Sequence, residues 1–229
     1  MADSAEVMAQ IARVPGVRYT ALAPNLRGFE RARAAGVDEV AVFASASEGF
    51  SQANLNCSIA ESLARYRDIL WVAQGEGIPV RGYVSSVTDC PFDGRSPPGE
   101  VARVAEELHE MGCHEISLGD TLGHGTPESI DGMLRAVMEV VPVAQLAGHF
   151  HDTGGRALTN IDAALEAGVR VFDAAVGGLG GCPYAPGSKG NVATEAVHAH
   201  LTRGGWTTGL DPVILDEAAN LARGMRDTA

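Results

Sequence analysis

The feature that most constrains this sequence is a junction that recurs four times: a helical run closes in a small residue or Gly, and a β-rich stretch follows within a few residues. It stands at Ala34-Ala35-Gly36-Val37, Glu76-Gly77-Ile78, Met111-Gly112-Cys113 and Glu166-Ala167-Gly168-Val169. Gly just past a helix adopts the left-handed cap and releases the chain into a strand. A fifth helix is stopped by Pro142. The pattern predicts strands over 18–22, 39–43, 80–87, 115–118, 146–150 and 169–174. Helices are expected near 4–14, 27–35, 57–75, 99–111, 127–140, 155–167, 191–203 and 212–224. Strands alternating with helices imply right-handed βαβ crossovers and a parallel sheet, either a barrel or an open doubly wound sheet.

The polar residues separate those two. Asn25 follows the first strand, Ser45, Ser47 and Glu48 the second, Asp120 and Thr121 the fourth, His149 and His151 the fifth, and residues 177–191 the sixth. Chemistry delivered at nearly every C-terminal strand end is the habit of a (β/α) barrel, whereas an open sheet concentrates its site at one switch point. The expectation is therefore an α/β fold of TIM type, one domain over 1–229. It is incomplete, because about six strands are present where a closed barrel needs eight.

Composition narrows the partners. Seventeen basic residues against 29 acidic ones leave a net charge of −12. That balance argues against sequence-independent nucleic-acid binding and against a polybasic membrane surface. No apolar run approaches the roughly 20 residues of a membrane span. Met1-Ala2-Asp3-Ser4 lacks the basic start and apolar stretch of a secretory signal. Cys57, Cys90, Cys113 and Cys182 show no Cys-x-x-Cys spacing and read as the reduced thiols of a cytoplasmic protein. There is no phosphate-binding Walker loop, no dinucleotide fingerprint and no Gly-x-Ser-x-Gly elbow.

Three segments carry candidate chemistry. In Gly148-His149-Phe150-His151-Asp152, residues two apart on a strand share a face. Both imidazoles would point into the barrel mouth, about 7 Å apart at Cα, a spacing that lets them share one divalent cation or pack as two satisfied core histidines. Asp152 could orient one of the rings.

The second segment, 177–191, holds six glycines in fifteen residues and makes a poor helix and a poor strand. It is either a plain connector or a lid over a substrate, with Cys182 as its reactive thiol. Asn191, where this loop enters the next helix, is either a cap or an oxygen ligand to the metal, and Glu195 lies one turn on along the same face. In the third, Ser117-Leu118-Gly119-Asp120-Thr121, Asp120 either holds a turn or fixes a substrate hydroxyl or an arginine. Asn54, in Asn54-Leu55-Asn56-Cys57-Ser58, reads first as part of a helix cap and second as a ligand contact.

Together these residues resemble one family. Val176-Gly177-Gly178-Leu179-Gly180-Gly181-Cys182-Pro183-Tyr184, Ala147–Thr153, Glu115–Thr121 and Gly187–Glu195 are similar to the signatures of 3-hydroxy-3-methylglutaryl-CoA lyases. Asn56-Cys57-Ser58-Ile59 and Arg81-Gly82-Tyr83-Val84-Ser85 are similar too, so the likeness covers almost the whole chain. The resemblance implies a divalent metal, Mg²⁺ or Mn²⁺, held by His149, His151 and Asn191. It implies Cys182 as a proton-transfer residue on a covering loop, Glu195 and Asp120 near the reacting centre with His149, and Asn54 toward the CoA thioester of an acyl-CoA substrate. The implied reaction is cleavage of 3-hydroxy-3-methylglutaryl-CoA to acetyl-CoA and acetoacetate.

Departures accompany the likeness. The family carries an Arg-Asp pair at the end of its first barrel strand, where the Asp binds metal. The two such dipeptides here, Arg67-Asp68 and Arg226-Asp227, fall in an expected helix and in the tail. Gly155-Arg156 and Lys189 also differ from the usual residues. The expectation is that two leading βα units are missing, leaving two open sheet edges that invite pairing with another chain, a homodimer partner among the candidates. Without the carboxylate ligand, little or no turnover is expected of this chain. Competing readings are a related keto-acid aldolase or acyl transferase, a metal-dependent hydrolase, and a non-catalytic relative.

Overall fold

The computed structural model describes residues 3–181 and 190–226. The elements run α1 (Ser4–Gln10), β1 (Thr20–Leu22), α2 (Leu26–Ala34), β2 (Glu39–Ser45), α3 (Glu48–Leu55), α4 (Ile59–Glu76), β3 (Val80–Ser85), β4 (Asp89–Cys90), β5 (Gly94–Arg95) and α5 (Pro98–Glu110). They continue β6 (Glu115–Asp120), α6 (Pro127–Met138), β7 (Leu146–Phe150), α7 (Ala157–Glu166), β8 (Val171–Asp173), α8 (Thr194–Arg203) and α9 (Pro212–Arg226). Six strands form one parallel sheet in the order β1-β2-β3-β6-β7-β8, and β4 and β5 pair as a small antiparallel hairpin. Among the described residues β1 and β8 are the two edges of an incomplete (β/α) barrel.

Local capping chemistry fixes the ends of α2 and α4. Asn25 caps α2 by accepting from the Gly28 N–H at 2.9 Å. Ser58 and Glu61 form a reciprocal capping box at the start of α4. Gly77, at φ 70°, closes the same helix in the left-handed conformation.

The expected 57–75 helix is in fact preceded by a separate one, α3. Ser47 caps it by accepting from Phe50 N, and Asn56 ends it at φ 51°. Asn54 therefore sits in the last turn of α3, exposed, and the N-cap of the following helix is Ser58. Strand β3 stops at Ser85 because Ser86 turns to φ 58°.

The strand period divides the residues between two faces. Val40, Val42, Ala44, Val80, Val84, Ile116, Leu118, Leu146 and Phe150 lie on the helix-facing side and join one apolar core with Ile69, Leu70, Leu108, Ile130 and Leu134. Burying each such side chain contributes about 1.5–3 kcal/mol. The alternate positions, Glu39, Arg81, Tyr83, Glu115, Ser117, His149 and Asp173, line the concave face. Register then sets who meets whom: Arg81 lies opposite Glu115, Tyr83 opposite Ser117, and His149 opposite Asp173.

Candidate active site

Charged residues in the middle of a sheet must find partners, and here they do. Arg81 donates through Nη1 to Asp173 Oδ1 at 2.8 Å and through Nε to Glu115 Oε1 at 2.6 Å. Its Nη1 also meets the Tyr83 hydroxyl. The other oxygen of Asp173 accepts from Ser117 Oγ at 2.8 Å and lies 3.2 Å from His149 Nδ1. One layer down, Glu39 is buried and bonded to Arg18, Thr20 and His114.

The charges of this network follow from its contacts. Burial pushes the Asp173 carboxyl up, but the bond from His149, the charge of Arg81 and the Ser117 hydroxyl outweigh it and lower it to about 2. Burial works against the Arg81 charge, yet Asp173, Tyr83 and Glu115 hold it above its ordinary value. Burial, reinforced by Asp173, pushes the Tyr83 phenol up to about 12, so it stays a neutral hydroxyl.

Above this layer stand the expected donors. His149 and His151 have ring centres 5.4 Å apart. Burial, together with the neighbouring His149, lowers His151 to about 4, so its ring is neutral near pH 7. His151 Nδ1 is buried with no hydrogen-bond partner. Asn191 pairs with His151 through a backbone bridge, and its side-chain Nδ2 donates to Leu179 O at 3.0 Å. The capping alternative for Asn191 is thus excluded, because α8 starts at Thr194 with Ala193 as its cap. Tyr83, His149, Phe172, Asp173, Ala174 and Asn191 line one open cleft of about 410 Å³.

The remaining expected residues sit elsewhere. Asp120 is fully buried on the helix-facing parity of β6, opposite to that of Ser117. Its oxygens take the Thr88 hydroxyl at 2.7 Å and the Gly125 N–H at 2.9 Å. Burial raises its carboxyl against those bonds. These contacts correspond to the turn-holding alternative, and Asp120 does not line the cleft with His149. Glu195 accepts from Gly177 N at 3.0 Å and from Arg223 Nη2 at 3.0 Å. Burial raises its carboxyl, but its own and Gly177's backbone N–H groups and Arg223 hold it below the ordinary range. It fastens the start of the glycine-rich loop to α8 and α9. Asn54 is exposed on α3 and outside the cleft, and Cys182 lies outside the described residues.

Comparison with known proteins decides the family. The HMGL-like family model matches residues 1–222. The chain belongs to the HMGL-like family. Within this family it is 54% identical over 211 residues to the cytoplasmic 3-hydroxy-3-methylglutaryl-CoA lyase of Mus musculus, covering 92% of this chain and 62% of that protein. It is 58% identical over 197 residues to the 3-hydroxy-3-isohexenylglutaryl-CoA/hydroxy-methylglutaryl-CoA lyase of Pseudomonas aeruginosa, covering 86% of this chain and 66% of that one. The solved HMG-CoA lyase of Brucella melitensis superposes with a TM-score of 0.97 at 56% identity, over 99% of this chain and 80% of that one. The chain thus spans about two thirds of the length of these curated HMGL-like relatives.

A divalent ion suits the residues present. Two imidazoles with ring centres 5.4 Å apart, one of them neutral with an orphaned buried nitrogen, stand beside an amide whose N–H is already committed, and His151 and Asn191 are paired through the backbone. Among the described residues no group of three or more His, Cys, Asp and Glu is placed to hold a metal, and the Asn191 amide is the further polar group next to this pair.

Sequence reasoning did not assign roles to Arg81, Tyr83, Glu115, Ser117 or Asp173. The signal was available in part. Arg81 and Glu115 are charged residues inside apolar strands, and such residues signal an inward network.

Proposed function

We propose that this chain carries the site of a divalent-metal-dependent carbon–carbon lyase acting on an acyl-CoA, with 3-hydroxy-3-methylglutaryl-CoA cleaved to acetyl-CoA and acetoacetate. The observation that supports this most is that His149 and Asn191 line one cleft, with His151 5.4 Å from His149 by ring centre and paired to Asn191 through the backbone, in a chain of HMGL-like sequence. A bound Mg²⁺ or Mn²⁺ would supply Lewis-acid stabilisation of the alkoxide that develops as the tertiary hydroxyl loses its proton. His149, His151 and Asn191 would hold it.

The chain's own groups do the rest. A base at the cleft takes the hydroxyl proton, and the C–C bond breaks toward the thioester, giving acetoacetate and the acetyl-CoA enolate. Cys182 protonates the enolate carbon, and its thiol is restored by the proton taken at the start. Exclusion of bulk water from the cleft would protect that carbanion. Tyr83, held neutral, offers a hydroxyl to a polar group of the substrate. Asn54 belongs to the CoA side of this reading, while Asp120 and Glu195 serve by holding turns around the site.

Three neutral donors bind a hard cation weakly, so turnover by the 229-residue chain is expected to be slow. The test is release of acetyl-CoA and acetoacetate with added Mn²⁺. Product formation abolished by a chelator and by Cys182→Ala supports the reading. Turnover indifferent to both, or a chain that neither binds Mn²⁺ nor forms product, overturns it.

A further inference from the structure

The two neighbouring imidazoles, His149 and His151, are supported in opposite ways. His151 Nδ1 is buried without a partner, whereas His149 Nδ1 faces a carboxylate at 3.2 Å. That carboxylate, Asp173, is clamped on both oxygens: Arg81 Nη1 holds Oδ1 at 2.8 Å, and Ser117 Oγ holds Oδ2 at 2.8 Å. Arg81 is itself fixed by Glu115 at 2.6 Å. The edge of one ring against the face of the other, at 6.0 Å and 84°, keeps Tyr83 beside His149. Ring orientation and tautomer are therefore set by Asp173, which lies opposite His149 on the neighbouring strand.

We propose that Asp173 is a positioning residue: by accepting from His149 Nδ1–H, it places the proton on that nitrogen and presents the Nε2 lone pair to the cleft as the metal donor. This rests on the metal reading given above. A carboxylate behind a ligating imidazole fixes its tautomer and raises its basicity, and loss of such a partner costs about 10- to 100-fold in metal affinity. Ser117 and Arg81 act at one further remove. They leave the carboxylate no freedom to rotate away from the ring.

Asp173→Asn gives a sharp test, because an amide has only one acceptor oxygen. Arg81 Nη1 has donors only and claims that oxygen, so the amide NH₂ is turned toward His149 Nδ1. The lone pair then moves to Nδ1, and the proton goes to Nε2, the wrong nitrogen for the cleft. Long-range ¹H–¹⁵N spectra of the metal-free chain should show the Nδ1–H form of His149 in the wild type and the Nε2–H form in Asp173→Asn, with the His151 ring unchanged. Mn²⁺ affinity, read by water-proton relaxation, should fall about 10- to 100-fold.

Should Asp173→Asn fail to fold, Ser117→Ala keeps the carboxylate and removes one bond to it. It should retain the Nδ1–H form and lose about fivefold in affinity. A wild type that binds no Mn²⁺ sinks the metal reading and this proposal together. A wild type that binds, with Asp173→Asn binding as tightly and showing the same His149 tautomer, sinks this proposal alone. Mn²⁺ binding in Ser117→Ala that matches the wild type, with Asp173→Asn unfolded, also counts against it.

Discussion

Ser117 and Leu118 are neighbours on β6, yet they belong to two different solvents. Leu118 points outward into a continuous hydrocarbon core, among Ile69, Leu108 and Ile130. Ser117 points inward and bonds a carboxylate that is also bonded to an arginine and a histidine. The outer face holds the sheet by shape and by area removed from water. The inner face holds it by pairing charges that would be costly if left alone. One face tolerates a change of chemistry poorly and the other a change of volume, so the same sheet should fail differently when each is attacked.

The inner face should break hardest at its cation. Arg81→Ala leaves the half-buried Asp173 and Glu115 without their buried counter-charge, and loss of one partner from such a network costs up to about 3–5 kcal/mol. Urea denaturation checks this, and a loss under about 1 kcal/mol would mean that the network is decorative.

The outer face should lose a similar or smaller amount through a cavity: Leu118→Ala is expected to cost about 2–5 kcal/mol, depending on how far the surroundings collapse. It should leave the His149 tautomer untouched, which Arg81→Ala should not. If both variants disturb His149 alike, the two faces are not separable.

Acid gives the smallest effect. The folded Asp173 carboxyl sits near about 2, below its ordinary 3.8. A depressed carboxylate contributes stability above the unfolded value, and that stability is lost as pH falls through the folded value. Chemical denaturation in chelator between pH 4 and pH 2 should therefore lose on the order of 2 kcal/mol, and Asp173→Asn should flatten that limb.

Much of the architecture was legible because it is written locally. The glycine junctions at 36, 77, 112 and 168 all adopt positive φ and all precede strands or the turns into them. The alternation in Glu39–Ser45 marks two faces without any structure in hand. The β4–β5 hairpin was not legible, since two residues on each side leave no periodicity to read.

His149 and His151 could be proposed as a pair because they are two apart in one extended segment. Asp173 could not, because its meeting with His149 is a matter of register between strands, which no local spacing reports. Asp120 shows the opposite case. It lies an odd number of residues from Ser117, so strand parity alone turns it to the helix side, away from the cleft.

The glycine-rich segment is pinned at both feet. Asn191 N bonds Gly180 O at 3.3 Å, Asp152 N bonds Gly190 O at 2.9 Å, and Asn191 Nδ2 bonds Leu179 O. A side chain at position 190 would collide with the carbonyl of Gly180, so glycine is the only residue that lets the feet meet. Because Asp152 follows His151 directly in the chain, the bond from Asp152 N to Gly190 O ties the exit of the loop to the end of β7, and a change at position 190 is transmitted at once to His151 and Asn191.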